Sequence, residues 1–288
     1  MDRDILSLMN RESHRFSKGQ RMICRYITEN YDKAAFMTAG RLGQAVGVSE
    51  STVVRFATEL GFDGYPEMRR AMQEMVRSRL TAVQRIEVAN EQLGQGNLLE
   101  AVLTTDMDRL RSTLEEIDAE SFDRAVEMIL NARTIYILGM RSSTSLASFL
   151  GFYLNLLLDN VRLVQDTSAG EIYDQLFRIG KGDVFIGISF PRYSSRTIRA
   201  MQFAKSAGAL AIGLTDGPSS PFADLADVNL CAKSDMVSFL DSLVTPMSLI
   251  NALIVALGNR RPESLSATFR RLEGIWEAHD VYEKLDGQ

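Results

Sequence analysis

Apolar positions recur at helical spacing through the N-terminal part of the chain and then give way to short unbroken apolar runs, so two kinds of structure are expected in succession. The clearest element of the first kind is VSESTVVRFATELG, from Val48 to Gly61. At about 100° per residue, Val53, Phe56 and Leu60 fall on one side of a helix, and Ser51, Arg55 and Thr58 on the other. Ser49 is suited to the N-cap and Gly61 to a left-handed stop. Upstream, Thr38 caps a helix through Arg41, Leu42, Ala45 and Val46, and Gly47 turns the chain into Val48 and Ser49. A helix, a glycine turn and a second helix form a helix-turn-helix, in place of which an ordinary helical hairpin is the bland alternative.

The surrounding pattern supports a small helical domain. FSKGQRMICRYITENY, from Phe16 to Tyr31, carries Ile23, Tyr26 and Ile27 on one stripe. After Gly61, Asp63-Gly64 turns, Pro66 sits at a helix start, and Met68, Ala71, Met72 and Met75 form a packing stripe that Arg69 and Arg70 leave. The segment 81–97 is polar and ends in LGQGN, which predicts a linker between a domain over 1–80 and a second over 98–288.

The second domain opens with a helical stretch from Leu98 to Ile117, where Leu98, Val102, Met107, Leu110 and Leu114 stand at near-heptad or helical spacing. Ser121 is then the expected cap of FDRAVEMILNA. From Thr134 the period changes. TIYIL, VRLV from Val161, VFIGIS from Val184, ALAIGLT from Ala209 and VNLCA from Val228 are apolar runs of the kind found in parallel strands covered on both faces. Between them lie helical stretches: about Leu146 to Leu158, EIYDQLF, RTIRAMQFAKSAG and a short SPFADLA. Five strands alternating with helices predict a doubly wound parallel α/β sheet. A long apolar helix, LDSLVTPMSLINALIVALG, and an amphipathic one from Glu263 to Leu285 close the chain and are expected to cover the sheet or build a dimer interface.

Composition narrows the class. With 288 residues, 45% hydrophobic and 24% charged, the chain reads as two globular domains. Its longest apolar run, FLGFYLNLLL from Phe149, falls short of the about 20 residues a membrane span needs. MDRDILSLMN is no secretory signal, so a cytoplasmic protein is expected. Cys24 and Cys231 both fall on elements that read as buried, and with His14 and His279 they make a poor metal inventory. No disulfide, metal or cofactor is expected. The net charge of −5 is uneven: residues 1–80 hold 13 Lys plus Arg against 10 Asp plus Glu, which leaves −8 for the remainder. Only the first segment has the sign that phosphate contacts favour.

The second helix of a helix-turn-helix suits the DNA major groove, its N-terminal residues facing base edges. The candidate DNA contacts are Lys18, Thr38, Ser49, Ser51, Thr52, Arg55, Arg69 and Arg70, with Arg55 the prime reader of guanine. A solvated face is the ordinary alternative for Arg69 and Arg70. In the sheet, ligands belong at the C-terminal strand ends where the strand order reverses. GMRSSTS, Gly139 to Ser145, and ISFPRYSSRT, Ile188 to Thr197, both lie between a strand and a helix and combine hydroxyls with arginine. Helix capping explains a single such turn; two in one sheet point to a small anion. The candidate effector contacts are Gly139, Arg141, Ser142, Ser143, Ser189, Arg192 and Ser194. Neither turn is a P-loop, and no Gly-x-Gly-x-x-Gly is present.

The order GVSESTVVRFATELGFDGYPEMRR, polar linker, GMRSS and ISFPRYS resembles the RpiR family of bacterial transcriptional regulators over nearly the whole chain. The resemblance implies an N-terminal DNA-binding domain and a C-terminal sugar isomerase (SIS) module. It also implies a homodimer or homotetramer on a palindromic double-stranded operator, with a phosphosugar or related anionic metabolite altering the affinity. Ser142 and Ser143 match the module's first phosphate turn, and Ser189 the first serine of its Ser-x-Ser-Gly-x-Thr motif. Pro191, Arg192 and Ser194 depart from that motif, and a differently shaped acid becomes an alternative ligand. An isomerase with an appended helical domain is the rival class; it needs a base, and Glu171 is the best candidate.

Overall fold

The computed structural model describes residues 5–79, 81, 83–84, 86, 97–165, 170–234 and 240–283. They divide into two compact units, one comprising 1–103 with 236–241 and the other 104–235 with 242–288. The expected linker, 81–97, lies almost wholly outside the described residues.

The first unit is helical: α1 (Ile5–Glu12), a 3-10 turn, α2 (Lys18–Glu29), α3 (Tyr31–Ala34), α4 (Ala39–Val46), α5 (Glu50–Glu59) and α6 (Tyr65–Arg79). Side-chain caps set the starts. Ser17 and Gln20 form a reciprocal capping box on α2, and Thr38 and Ser49 accept from the amides three residues on. The core joins Ile23 and Ile27 of α2, Leu42 of α4, Val53 and Phe56 of α5, and Met68 and Met72 of α6, all fully buried. Phe16 meets the Phe56 ring edge-on at 5.1 Å, and the Tyr65 hydroxyl donates to the Met37 carbonyl at 2.9 Å. Burial holds that phenol up at about 12, so it remains a donor at any physiological pH.

The second unit runs α7 (Leu98–Glu116, from Thr104 onward in this unit), α8 (Ala119–Leu130), β1 (Ile135–Gly139), α9 (Ser143–Leu157), β2 (Val161–Leu163), α10 (Glu171–Leu176), β3 (Val184–Ile188), α11 (Ser195–Ser206), β4 (Leu210–Thr215), β5 (Val228–Cys231), α12 (Val244–Asn259) and α13 (Pro262–Ala278). All four pairings are parallel, in the order β2-β1-β3-β4-β5. The fold is a five-stranded doubly wound α/β sheet. Alternate residues feed two cores: Ile135, Ile137 and Ile186 pack under α8, α9 and α12, while Tyr136, Leu138 and Phe185 face α10 and α11. The order reverses between β1 and β3, the place where such sheets bind ligands.

Some elements differ from the sequence pattern. Asp118, not Ser121, caps α8, because its carboxylate reaches the amides of Glu120 and Ser121. SPFADLA forms turns rather than a helix, since Phe222 is drawn into the sheet core and Asn229 holds the Ala223 carbonyl. The two long C-terminal helices are shorter than expected, starting at Val244 and ending at Ala278. Cys24 and Cys231 are half-buried free thiols, not fully buried ones. The side of α7 that is buried carries Asp106, Arg109 and Thr113, whereas Met107 and Leu114, two of the regularly spaced apolar residues, are 58% and 78% exposed.

Candidate functional site

In the first unit, α4 and α5 are brought together by Gly47, in the left-handed conformation at φ 81°, and by Gly43. A Cβ on Gly43 would stand 2.8 Å from the Val48 carbonyl, so the turn can be this tight only without a side chain there. That packing leaves one side of α5 open: Ser51, Val54, Arg55 and Thr58 are exposed, while Val53, Phe56 and Ala57 are buried. The Ser49 hydroxyl caps the Thr52 amide and lies within 3 Å of the Ser51 and Thr52 hydroxyls, at 2.9 and 2.8 Å. Arg55 donates through Nε to the Ser51 carbonyl at 3.4 Å, which leaves the terminal guanidinium N–H groups to point elsewhere. That fork matches the two acceptors of guanine in the major groove.

Of the other candidate DNA contacts, Lys18 and Arg70 are exposed and Arg69 is half-buried. Thr38 and Ser49 are exposed caps whose oxygens are engaged by their own helices. Val54 is missing from the sequence-based set although helical spacing puts it beside Ser51 and Thr58, on the flank away from Arg55. At 39% exposure it offers a methyl surface of the kind that meets a thymine methyl.

In the second unit, the turns after β1 and β3 lie at neighbouring strand ends, since Gly139 and Ile188 are register partners. A Cβ on Gly139 would fall 2.3 Å from the Ser143 carbonyl oxygen, so glycine lets α9 begin directly over the strand end. Gly139 thus shapes the turn. Arg141 is left-handed, with φ 57°, and Ser142 follows in the right-handed region, with φ −60° and ψ −32°. This alternation turns successive amides toward one concavity suited to an anion. The amides of Arg141 and Ser142 donate to no main-chain carbonyl among the described residues. Ser142 is exposed and its side chain makes no cap bond, but Ser143 is only 5% exposed and belongs to the start of α9.

The turn after β3 is built differently. Ser189 is 3% exposed, and its oxygen accepts from the Ser194 amide at 2.9 Å; the Ser194 oxygen in turn accepts from the Thr197 amide at 3.3 Å. Both oxygens therefore serve the turn itself. Pro191 is buried, Arg192 is exposed with φ 62°, and the Tyr193 hydroxyl donates to Asp216 at 2.8 Å. Tyr193 and Asp216, at the end of β4, were absent from the expected set. A signal was available, because Asp216-Gly217 follows directly on the apolar run ALAIGLT, a third strand-end turn. Cys231, at the end of β5, has its thiol pushed up by burial and by the Asp216 charge, so it stays protonated and is no nucleophile at neutral pH. Glu171 is an exposed first residue of α10.

A capped pair of helices with an open polar side, and a parallel sheet with two donor-bearing turns at its switch point, define a regulator built from a DNA-reading module and a small-molecule module. Comparison with known proteins agrees. Residues 3–79 match the model of the helix-turn-helix domain of the rpiR family, and residues 128–256 match the SIS domain. The sugar isomerase domain of an RpiR transcription factor from Sphaerobacter thermophilus is 31% identical, with TM-score 0.57, covering 60% of this chain and 96% of that one. The HTH-type transcriptional regulator HexR of Pseudomonas aeruginosa is 24% identical over 280 residues, 94% of this chain and 95% of its own. The fold also matches that of the Vibrio vulnificus NanR protein complexed with ManNAc-6P, at 22% identity and TM-score 0.60, covering 96% of this chain and 98% of that one. The chain belongs to the RpiR family of helix-turn-helix transcriptional regulators.

Proposed function

We propose that the protein acts in the cytoplasm as a homodimer or homotetramer on a palindromic operator, and that a small sugar-derived phosphate bound between the β1 and β3 turns changes its affinity for DNA. The observation that carries this reading is the Arg141-Ser142 concavity at the switch point, whose amides, at the N-terminus of α9, donate to no main-chain carbonyl among the described residues. The Vibrio vulnificus NanR, of the same fold, is complexed with ManNAc-6P, which supports a phosphosugar as the ligand class. Exposed Met107 and Leu114 on α7 and Phe152 on α9 give the second unit apolar area for a partner copy.

The SIS unit is read as a sensor and not as an isomerase. Moving a proton beside a carbonyl needs a base, and neither turn, Gly139 to Ser145 or Ile188 to Thr197, contains a glutamate or histidine. Glu171 reads as a carboxylate placed at a helix start. The test is operator selection with the purified protein, followed by titration of the complex with a panel of sugar phosphates. At least one is expected to shift operator affinity by about 5-fold or more, the lower end of allosteric coupling, without being turned over. No shift with any member of the panel contradicts the sensor reading, and turnover restores the enzyme reading.

A further inference from the structure

We propose that Val54 and the methyl of Thr58 form a strip on α5 that reads thymine through its C5-methyl group. The inference rests on the reading of α5 as the element that enters the major groove, and it adds a second base to the guanine that Arg55 is suited to meet.

Around the helix axis the open side of α5 runs in the order Val54, Thr58, Ser51, Arg55, with about 100° between the first and the last. The two acidic residues of the helix lie beyond its two edges. Glu59 accepts from the Gln20 side chain of α2, and the Glu50 carboxylate stands 3.3 Å from where a Cβ on Gly40 of α4 would lie. Both carboxylates are thus drawn toward neighbouring helices, which leaves the side between them to a polyanion.

Within that side the guanidinium is at one edge and the apolar surface at the other. Val54 is 39% exposed, whereas Val53, Phe56 and Ala57 are fully buried. One exposed valine elsewhere on a surface needs no explanation, but this one stands on the side offered to the groove. Thr58, one turn further on, is also exposed, and its hydroxyl donates to the Arg55 carbonyl at 2.9 Å. That bond commits the proton to its own helix and leaves the methyl uncommitted. Four residues of helix rise about 6 Å, close to two base-pair steps of about 3.4 Å. The C5-methyl of thymine is the apolar group on the major-groove edges of the bases, and small apolar side chains and the threonine methyl are its usual partners. The Val54-Thr58 strip therefore fits one thymine, or two within two steps of each other.

The experiment measures, by fluorescence anisotropy, binding of the full-length protein to its selected operator and to versions in which one thymine at a time is replaced by deoxyuridine. The exchange removes one methyl and leaves every hydrogen-bonding group of the base in place. For wild type, at least one such replacement is expected to weaken binding about fourfold, the effect of one buried methyl. The same DNAs are then titrated with Val54→Ala and Thr58→Ser. Alanine is the stronger helix former, and serine keeps the hydroxyl that reaches the Arg55 carbonyl, so α5 is preserved in both. At a sensitive thymine, at least one of the two variants is expected to bind the thymine and deoxyuridine operators equally, which assigns the methyl contact to that residue. A wild type indifferent to every replacement, or a fourfold effect that survives in both variants, overturns the inference and leaves guanine reading by Arg55 standing. Failure of the wild type to select any operator overturns both.

Discussion

A carboxylate removed from water must find donors for its lone pairs, and Asp183, 1% exposed just ahead of β3, has three. Arg133 gives it two parallel bonds, of 2.9 and 2.7 Å, and the Gly180 amide a third at 2.9 Å. Burial pulls its pKa up, but the Arg133 and Gly180 bonds outweigh burial and hold it below the ordinary aspartate value. A carboxylate lowered in this way contributes stability that is fully present above the unfolded value, about 3.9, and is lost as pH falls through the folded one. Asp183→Asn is expected to cost about 2–3 kcal/mol at pH 7, with the difference from wild type shrinking below about pH 4 in urea unfolding. A constant difference across that range would show that the charge contributes nothing. At this scale the sequence is least informative. ISFPRYS announces hydroxyls, but that Ser189 and Ser194 spend their oxygens on amides within the turn depends on a backbone path that Pro191 and a left-handed Arg192 set.

At the scale of elements, legibility followed chemistry that acts locally. The caps at Thr38 and Ser49, the left-handed Gly47 and the five strands were all readable, because a cap needs only its own first turn and a doubly covered strand needs only an apolar run. Misreadings came where distant contacts decide: SPFADLA loses its helix to the docking of Phe222, and the buried side of α7 is the one where Asp106 pairs with Arg109 and Thr113 accepts from the Lys233 amide. The apolar side of α7 is consequently left facing out. In the proposed oligomer that side meets a second copy, so Met107→Glu combined with Leu114→Glu should reduce the assembly to monomers at micromolar concentration while leaving circular dichroism unchanged. Light scattering gives the outcome, and an unaltered mass would place the interface elsewhere.

For the whole molecule, the decisive arrangement is a division of labour along the chain. The helical part has net charge +3 and an open hydroxyl-and-guanidinium side, and the remainder, at −8, carries the sheet whose switch point is lined by arginines. Coupling them requires the ligand to favour one arrangement of the oligomer over another. None of that matters unless α5 reads bases, and the most direct measurement is a footprint of Arg55→Ala beside wild type on the selected operator and on a variant with the contacted guanine replaced. The mutant should lose about 1–3 kcal/mol of discrimination between the two sites and keep its oligomeric state. A footprint and a discrimination identical to wild type would contradict the assignment of α5 as the DNA reader.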